Sequence, residues 1–183
     1  MKSPRNKIGF MALAVLFSLS NIANGKTKIP SNFSVLQNKE CGFSLRYPKD
    51  AKLEIQEGCT LKITLPLIKG QEWIKEANIT LEVSAAENGE ATEKPMDDLG
   101  EPAGTLIAGG LEFEKSIDTD NGAGQQHTMV SYTAIGKHHQ YHWVGVMTST
   151  DPGTLGKPIK DWNPEKSAQK LFDGFVSGFR PLE

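Results

Sequence analysis

The sequence predicts an α+β fold in which a twisted antiparallel sheet carries a C-terminal helix packed on it. Two observations predict this class. Apolar and polar residues alternate with a period of two along most of the chain, and an apolar stripe with helical spacing lies near its end. Strands that alternate in this way bury one face and expose the other, which is typical of antiparallel sheets. A helix with an apolar stripe needs such a sheet face to cover.

The alternating segments fall into two groups. In the first group, apolar residues at every second position have mostly polar neighbours: Phe43, Leu45, Tyr47, Leu53, Ile55, Leu61, Ile63, Leu65, Ile79, Leu81 and Val83. The second group follows the polar loop 87–95 and comprises the segments 111–117, 128–135 and 141–148. Because the linkers within the second group are rich in turn-forming residues, they predict a three-stranded meander, with one of its turns at DTDNG.

The C-terminal helix is predicted from the residues at its two ends. Asn163 is a good N-cap, and Pro164 suits the first helical position. The apolar residues of the stripe are Ala168, Leu171, Phe172, Phe175, Val176 and Phe179. Gly178 fits the end of the helix. A shorter helical turn is expected at 95–99.

The first 25 residues are predicted to be a signal peptide. Three basic residues precede the apolar run 8–19, which is shorter than the roughly 20 residues that a membrane-spanning helix needs. Small residues at Ala23 and Gly25 match the positions before a signal-peptidase cut. We therefore expect cleavage after Gly25, and a single exported domain that spans residues 26–183 and lies in a periplasm or is secreted.

The charge of this mature chain limits its partners. Removing the three basic residues of the signal peptide leaves 17 Lys and Arg against 22 Asp and Glu, a net charge of −5. Nucleic acids and anionic lipids attract basic surfaces, so neither is expected as the main partner. No transmembrane segment is expected after cleavage. The partner that remains is another envelope or secreted protein.

Two cysteines, Cys41 and Cys59, follow the predicted signal peptide. An even number of cysteines in an exported chain predicts a disulfide. If 42–48 and 52–57 form a hairpin that turns near residue 49, Cys59 lies one diagonal step from Cys41. A bond that closes a loop of this size stabilises a fold by about 3 kcal/mol in the chain-entropy description.

Three segments resemble PsbP-like domains. They are CGFSLRYPKD at 41–50, IAGGLEFEKSI at 107–117 and LFDGFVSGFRP at 171–181, and the resemblance extends over roughly 33–181. It implies the PsbP-like arrangement of a helix on an antiparallel sheet. It also implies a binding or assembly module rather than an enzyme, with a partner that differs between branches of the superfamily. It assigns no individual functional residue.

The segment KHHQYHW, 137–143, contains three of the four histidines. His138, His139 and His142 are candidate ligands of a transition metal, which needs three or four converging ligands. In an extended strand, His138 and His142 share a side but lie about 13 Å apart. A tight turn at His138 and His139 shortens that gap and leaves His127 at the far end of the hairpin. The leading interpretation is therefore a set of exposed turn residues.

Tyr141 and Trp143 alternate with His142 and Val144 on the last strand of the meander. The two aromatic side chains are either core, which is the favoured interpretation, or a partly exposed binding surface that Trp162 extends. No complete catalytic motif occurs, and no cofactor is expected. The sequence therefore predicts a non-enzymatic, exported binding or assembly module that acts through its sheet face or its meander turns. The alternative is a metal-binding envelope protein that uses the clustered histidines.

Overall fold

The computed structural model describes residues 32–67, 71–87, 90–91, 100–156, 158 and 162–182. The predicted signal peptide and the predicted helical turn at 95–99 lie outside these residues, so both stay predictions, as does the extent of the single domain. The described elements, in chain order, are β1 (Phe33–Asn38), β2 (Phe43–Pro48), β3 (Lys52–Ile55), β4 (Thr60–Thr64), β5 (Ile74–Glu87), β6 (Glu90–Ala91), β7 (Glu101–Ala108), β8 (Leu111–Gly122), β9 (Gln125–Ile135), β10 (His139–Thr150), α1 (Pro152–Leu155), α2 (Pro164–Val176) and β11 (Phe179–Pro181).

The larger sheet is antiparallel, with the strand order β3-β4-β5-β10-β9-β8-β7, and β6 pairs with β5. Its strands β8, β9 and β10 are the predicted meander, but they are longer than the alternation indicated. The turn predicted at DTDNG was placed too early, because those residues belong to β8. The chain turns at Ala123 and Gly124 instead, with φ of 50° and 76°. Positive φ at both central residues matches the twist of a tight hairpin.

The smaller sheet has the order β1-β2-β11. The predicted hairpin of 42–48 with 52–57 is therefore wrong. β2 pairs with β1 on one edge and with β11 on the other, while β3 pairs with β4. Because both edges of β2 are occupied, β3 has no edge of β2 left to pair with. The prediction paired β2 with β3 because the two strands are close in the sequence.

The helix α2 begins as predicted and ends earlier. The Asn163 side chain accepts a hydrogen bond from the Lys166 amide at 2.9 Å, which confirms the N-cap. Phe179, predicted to lie in the helical stripe, instead begins β11. Gly178 permits this change of direction, because a Cβ there would lie 2.5 Å from the Arg46 carbonyl oxygen. The Arg46 amide donates to the Gly178 carbonyl at 3.0 Å and joins the returning chain to β2.

Both α2 and the smaller sheet pack on one side of the larger sheet, which we call the inner face. The Phe172 ring of α2 lies directly over Gly145 of β10, where an added Cβ would come within 2.6 Å of the ring. Phe179 of the smaller sheet lies between Tyr141 and Trp143, with ring centroids 4.8 and 5.9 Å away. The fold is thus α+β, with a helix packed on an antiparallel sheet, as predicted. The opposite side of the larger sheet is the outer face.

Candidate functional site

The disulfide between Cys41 and Cys59 is present, with the two Cα atoms 5.6 Å apart. It joins the turn between β1 and β2 to the turn between β3 and β4. Since β2 and β4 belong to different sheets, the bond fastens the smaller sheet to the larger one. The cysteines were paired correctly in the prediction, which rested on their even number, although the hairpin that supported the pairing does not exist. The bond is a structural cross-link between layers.

Tyr141 and Trp143 lie in the core. Their exposed fractions are 2% and 0%, and both side chains point to the inner face. The Tyr141 hydroxyl donates to the Gly42 carbonyl at 3.0 Å, which holds β10 to the turn that carries Cys41. The alternative in which these two aromatics form a binding surface is therefore wrong. The rings face inward because α2 and β11 cover that side of β10.

Trp162 lies away from these two residues. Its indole N–H donates to the Thr150 carbonyl at 3.3 Å, at the end of β10. Thr150 is seven residues beyond Trp143, or about 24 Å along the strand. The half-buried Trp162 therefore extends no patch formed by the other two aromatics.

The clustered histidines diverge. His138 is exposed in the turn between β9 and β10, while His139 and His142 point to opposite faces of β10. His139 lies on the inner side against Gly42, and the His142 Nδ1 atom is 2.9 Å from the Thr133 hydroxyl on the outer side. Residues separated by an odd number of positions in a strand cannot share a face. Throughout the described ranges, no three His, Cys, Asp or Glu side chains are grouped to hold a metal ion.

The sequence analysis did not identify a polar network that lies on the inner face of the larger sheet. The Tyr132 hydroxyl donates to the Asp173 carboxylate at 2.8 Å, and the Lys115 ammonium approaches the same carboxylate at 3.2 Å. Burial, together with the charge of Asp173 and this hydrogen bond, raises the pKa of Tyr132 far above its ordinary value. The sequence contained one indication of this network, because Lys115 occupies a position among the inward, apolar residues of β8. The network connects α2 to the sheet.

The outer face carries an apolar lane at its centre. It consists of Met129 on β9 together with Val144 and Val146 on β10. Val146 is directly opposite Met129 in the register, so their side chains are neighbours on the same face. Met129 and Val144 are half-buried, and Val146 is 36% exposed. Three adjoining apolar side chains thus reach the solvent side of the central strands.

Beside this lane, β8 carries an acidic lane of four exposed side chains: Glu112, Glu114, Asp118 and Asp120. They alternate with inward residues, and Ser116 occupies the outward position between Glu114 and Asp118. The register places Asp118 opposite Met129, so the acidic and apolar lanes adjoin. Among the described residues, no Lys or Arg points outward on β7, β8, β9 or β10. The acidic lane therefore has no Lys or Arg beside it on the outward side of these described strands, although His127 lies opposite Asp120 in the register.

No helix among the described residues is long and apolar enough to cross a membrane. A comparison with protein-family models finds no match. A comparison with curated proteins finds none either.

Solved structures do match the fold. A Bacteroides thetaiotaomicron protein superposes with a TM-score of 0.53 at 9% identity, over 83% of this chain and 49% of that one. This chain therefore spans about half the length of the Bacteroides protein. LpqN of Mycobacterium tuberculosis, described as involved in cell envelope biogenesis, matches at a TM-score of 0.43 and 12% identity, over 77% of this chain and 83% of LpqN. At 9% identity, the likeness to the Bacteroides protein is one of fold.

The PsbP protein CyanoP of Synechocystis is also among the matched structures. Its TM-score is 0.24 at 13% identity, over 87% of this chain and 97% of that one. The antiparallel sheet with a helix packed on it agrees with the α+β class that the sequence predicts. The match adds no functional residue.

Proposed function

We propose that this protein is an exported, non-enzymatic binding module that docks another envelope or secreted protein on the outer face of its larger sheet. The apolar lane is the observation that carries the proposal. An apolar group at the centre of a polar surface costs free energy in water, and a protein partner that covers it recovers that cost. Both described covering layers lie on the inner face, which leaves the outer face for a partner.

Export is supported by the disulfide and by the predicted signal peptide. Structural disulfides persist in oxidising compartments such as a periplasm or the extracellular space. Here the bond fastens two sheets together, so an oxidising compartment would stabilise the fold by preserving the bond. We place the protein in the periplasm or in the secreted fraction on these grounds.

A non-enzymatic role is supported by the state of the Tyr132 network. A general base or nucleophile needs a pKa near the working pH and an approach for substrate. The raised pKa of Tyr132 keeps its hydroxyl protonated, and its Asp173 partner is engaged by Lys115. The network therefore stabilises the packing of α2 and supplies no reactive group. The proposed docking needs no cofactor.

Photo-crosslinking in the native envelope tests this function. We would replace Val146 with p-benzoylphenylalanine in the full chain, and replace Lys39, in the exposed turn between β1 and β2, in a matched control. We expect a discrete protein adduct from position 146 and none of that size from position 39. The proposal is overturned if both positions yield the same adducts or if position 146 yields none.

A second pair of variants tests whether the adduct depends on the apolar lane. Val144→Asp places a charge in the apolar lane next to the crosslinker and should abolish the adduct. Val35→Asp is the control, because Val35 is 41% exposed but lies on the smaller sheet. Retention of the adduct in the Val144→Asp protein would contradict docking on the apolar lane.

A further inference from the structure

We infer that the partner presents a basic amphipathic helix to the outer face, with its apolar side on the apolar lane and its Lys and Arg side chains over the acidic lane. The inference rests on the proposed function and names the chemistry of the segment that docks. It makes the two lanes one composite surface, in which the apolar lane provides contact area and the acidic lane provides orientation.

The widths of the two lanes fit a helix. Asp118, Met129 and Val146 form one row across β8, β9 and β10, because each is paired with the next in the register. Neighbouring strands are about 4.8 Å apart, so this row spans roughly 10 Å. An α-helix with its side chains is about 10–12 Å in diameter. One helix therefore covers both lanes when it lies along the strands.

The length of the acidic lane also fits a helix. Glu112 and Asp120 are eight residues apart on β8, or about 27 Å at the rise of an antiparallel strand. A helix rises about 1.5 Å per residue, so roughly 18 residues, or five turns, span the same length. Basic residues at intervals of three or four positions would form a row along such a helix, as the acids do along β8.

An added strand does not fit this surface. Each of β8, β9 and β10 is paired with a neighbour on both sides, so their ladders leave no free edge at the lanes. Strand addition needs a free edge, whereas a helix docks through its side chains alone. The partner must therefore meet the lanes face on.

Charge complementarity selects a basic segment over an acidic or uncharged one. The four carboxylates repel one another, and the outward residues of β7 to β10 that the structure describes include no Lys or Arg to offset them. A row of positive charges relieves that repulsion and orients the helix as it approaches. Anionic lipid surfaces and nucleic acids are repelled by the same lane.

Peptide titration tests the inference. The probe is an 18-residue helical peptide with one row of Lys beside one row of Leu. One matched peptide carries Glu in place of Lys, and another carries Ser in place of Leu. With the exported protein produced from the full chain, we expect the Lys–Leu peptide to bind and to shift NMR amide signals of β8, β9 and β10. Its affinity should fall about tenfold or more between low and high salt, because exposed charges are screened.

Charge reversal on the protein supplies the decisive control. Glu114→Lys combined with Asp118→Lys should weaken binding of the Lys–Leu peptide about tenfold or more. Glu40→Lys combined with Glu57→Lys changes the net charge equally in exposed turns and should leave the affinity within about threefold. Absence of binding, equal binding of the Glu–Leu peptide, or equal loss in both double variants overturns the inference.

The photo-crosslinking and the peptide titration test different claims, so either one can fail while the other succeeds. If position 146 yields its protein adduct while the peptide shows no preference for positive charge, docking on the outer face stands and the basic helix is wrong. If the Lys–Leu peptide binds as expected while position 146 yields no adduct, the surface chemistry stands and the proposed docking of an envelope protein is wrong.

Discussion

The two faces of the larger sheet differ in what covers them, although they are built from the same strands. On β10, Trp143 points inward and is 0% exposed, whereas the next residue, Val144, points outward and is half-buried. The inner face is covered by α2 and by the smaller sheet. The outer face carries apolar and acidic lanes that we assign to a partner. Alternate residues of one strand thus serve stability and recognition, so matched substitutions should separate the two roles.

The largest effect is expected from Phe179→Ala on the inner side. The Phe179 ring packs against four other aromatic rings, those of Phe43, Phe113, Tyr141 and Trp143. Removing a buried aromatic side chain of this kind costs about 3–5 kcal/mol of unfolding free energy. Urea denaturation measures the loss. A cost below about 1 kcal/mol would show that the inner face is not the stabilising one.

Removal of the disulfide should have the next largest effect. The variant that combines Cys41→Ser with Cys59→Ser should lose about 3 kcal/mol of unfolding free energy, because the unfolded chain is no longer restricted. Hydrogen exchange should rise first in β1, β2 and β11, since the bond fastens this sheet to the larger one. A reductant should destabilise the natural protein and leave the double variant unchanged. Destabilisation of both by the same amount would contradict the assignment.

Tyr132→Phe tests the link between α2 and the sheet. The loss of a hydrogen bond to a carboxylate should cost about 1.5–3 kcal/mol at neutral pH. Because the pKa of Tyr132 is raised in the fold, the unfolded chain loses this proton first, at its ordinary pKa near 10. The contribution of Tyr132 is therefore complete below pH 10 and falls above it, by up to about 1.4 kcal/mol per pH unit.

Denaturation curves between pH 8 and 11.5 measure this dependence. The difference in unfolding free energy between the natural protein and Tyr132→Phe should be constant below about pH 10 and decrease above it. A difference that stays constant over the whole range would contradict the raised pKa of Tyr132.

The smallest effect on stability is expected when a valine on each face of the larger sheet is replaced by threonine. Val130 points inward and is 0% exposed, while Val144 lies in the apolar lane. Val130→Thr buries a hydroxyl and should cost about 1–3 kcal/mol. Val144→Thr should change the unfolding free energy by no more than about 0.5 kcal/mol. It should nevertheless weaken binding of the Lys–Leu peptide, measured by calorimetry, whereas equal stability losses would remove the distinction between the faces.

Whether each sequence prediction was correct depends on how far apart in the chain the interacting residues lie. The start of α2 is correct to the residue, because an N-cap and a first-turn proline act within a few positions of each other. The strand β2 was given the wrong neighbour, because alternation identifies a strand without identifying its partner. The Tyr132 network joins residues 41 and 58 positions apart, so no local pattern reveals it.

The sequence by itself determined the α+β class, the meander, the helix start and the pairing of the two cysteines. These depend on a period of two, on local end signals and on the number of cysteines. The tertiary structure alone decided that Tyr141 and Trp143 face the core, that His139 and His142 diverge, and that Phe179 belongs to a strand. The physical reason is that alternation divides the residues of a strand between two sides without showing which side is buried. The layer that packs against one side decides which is buried.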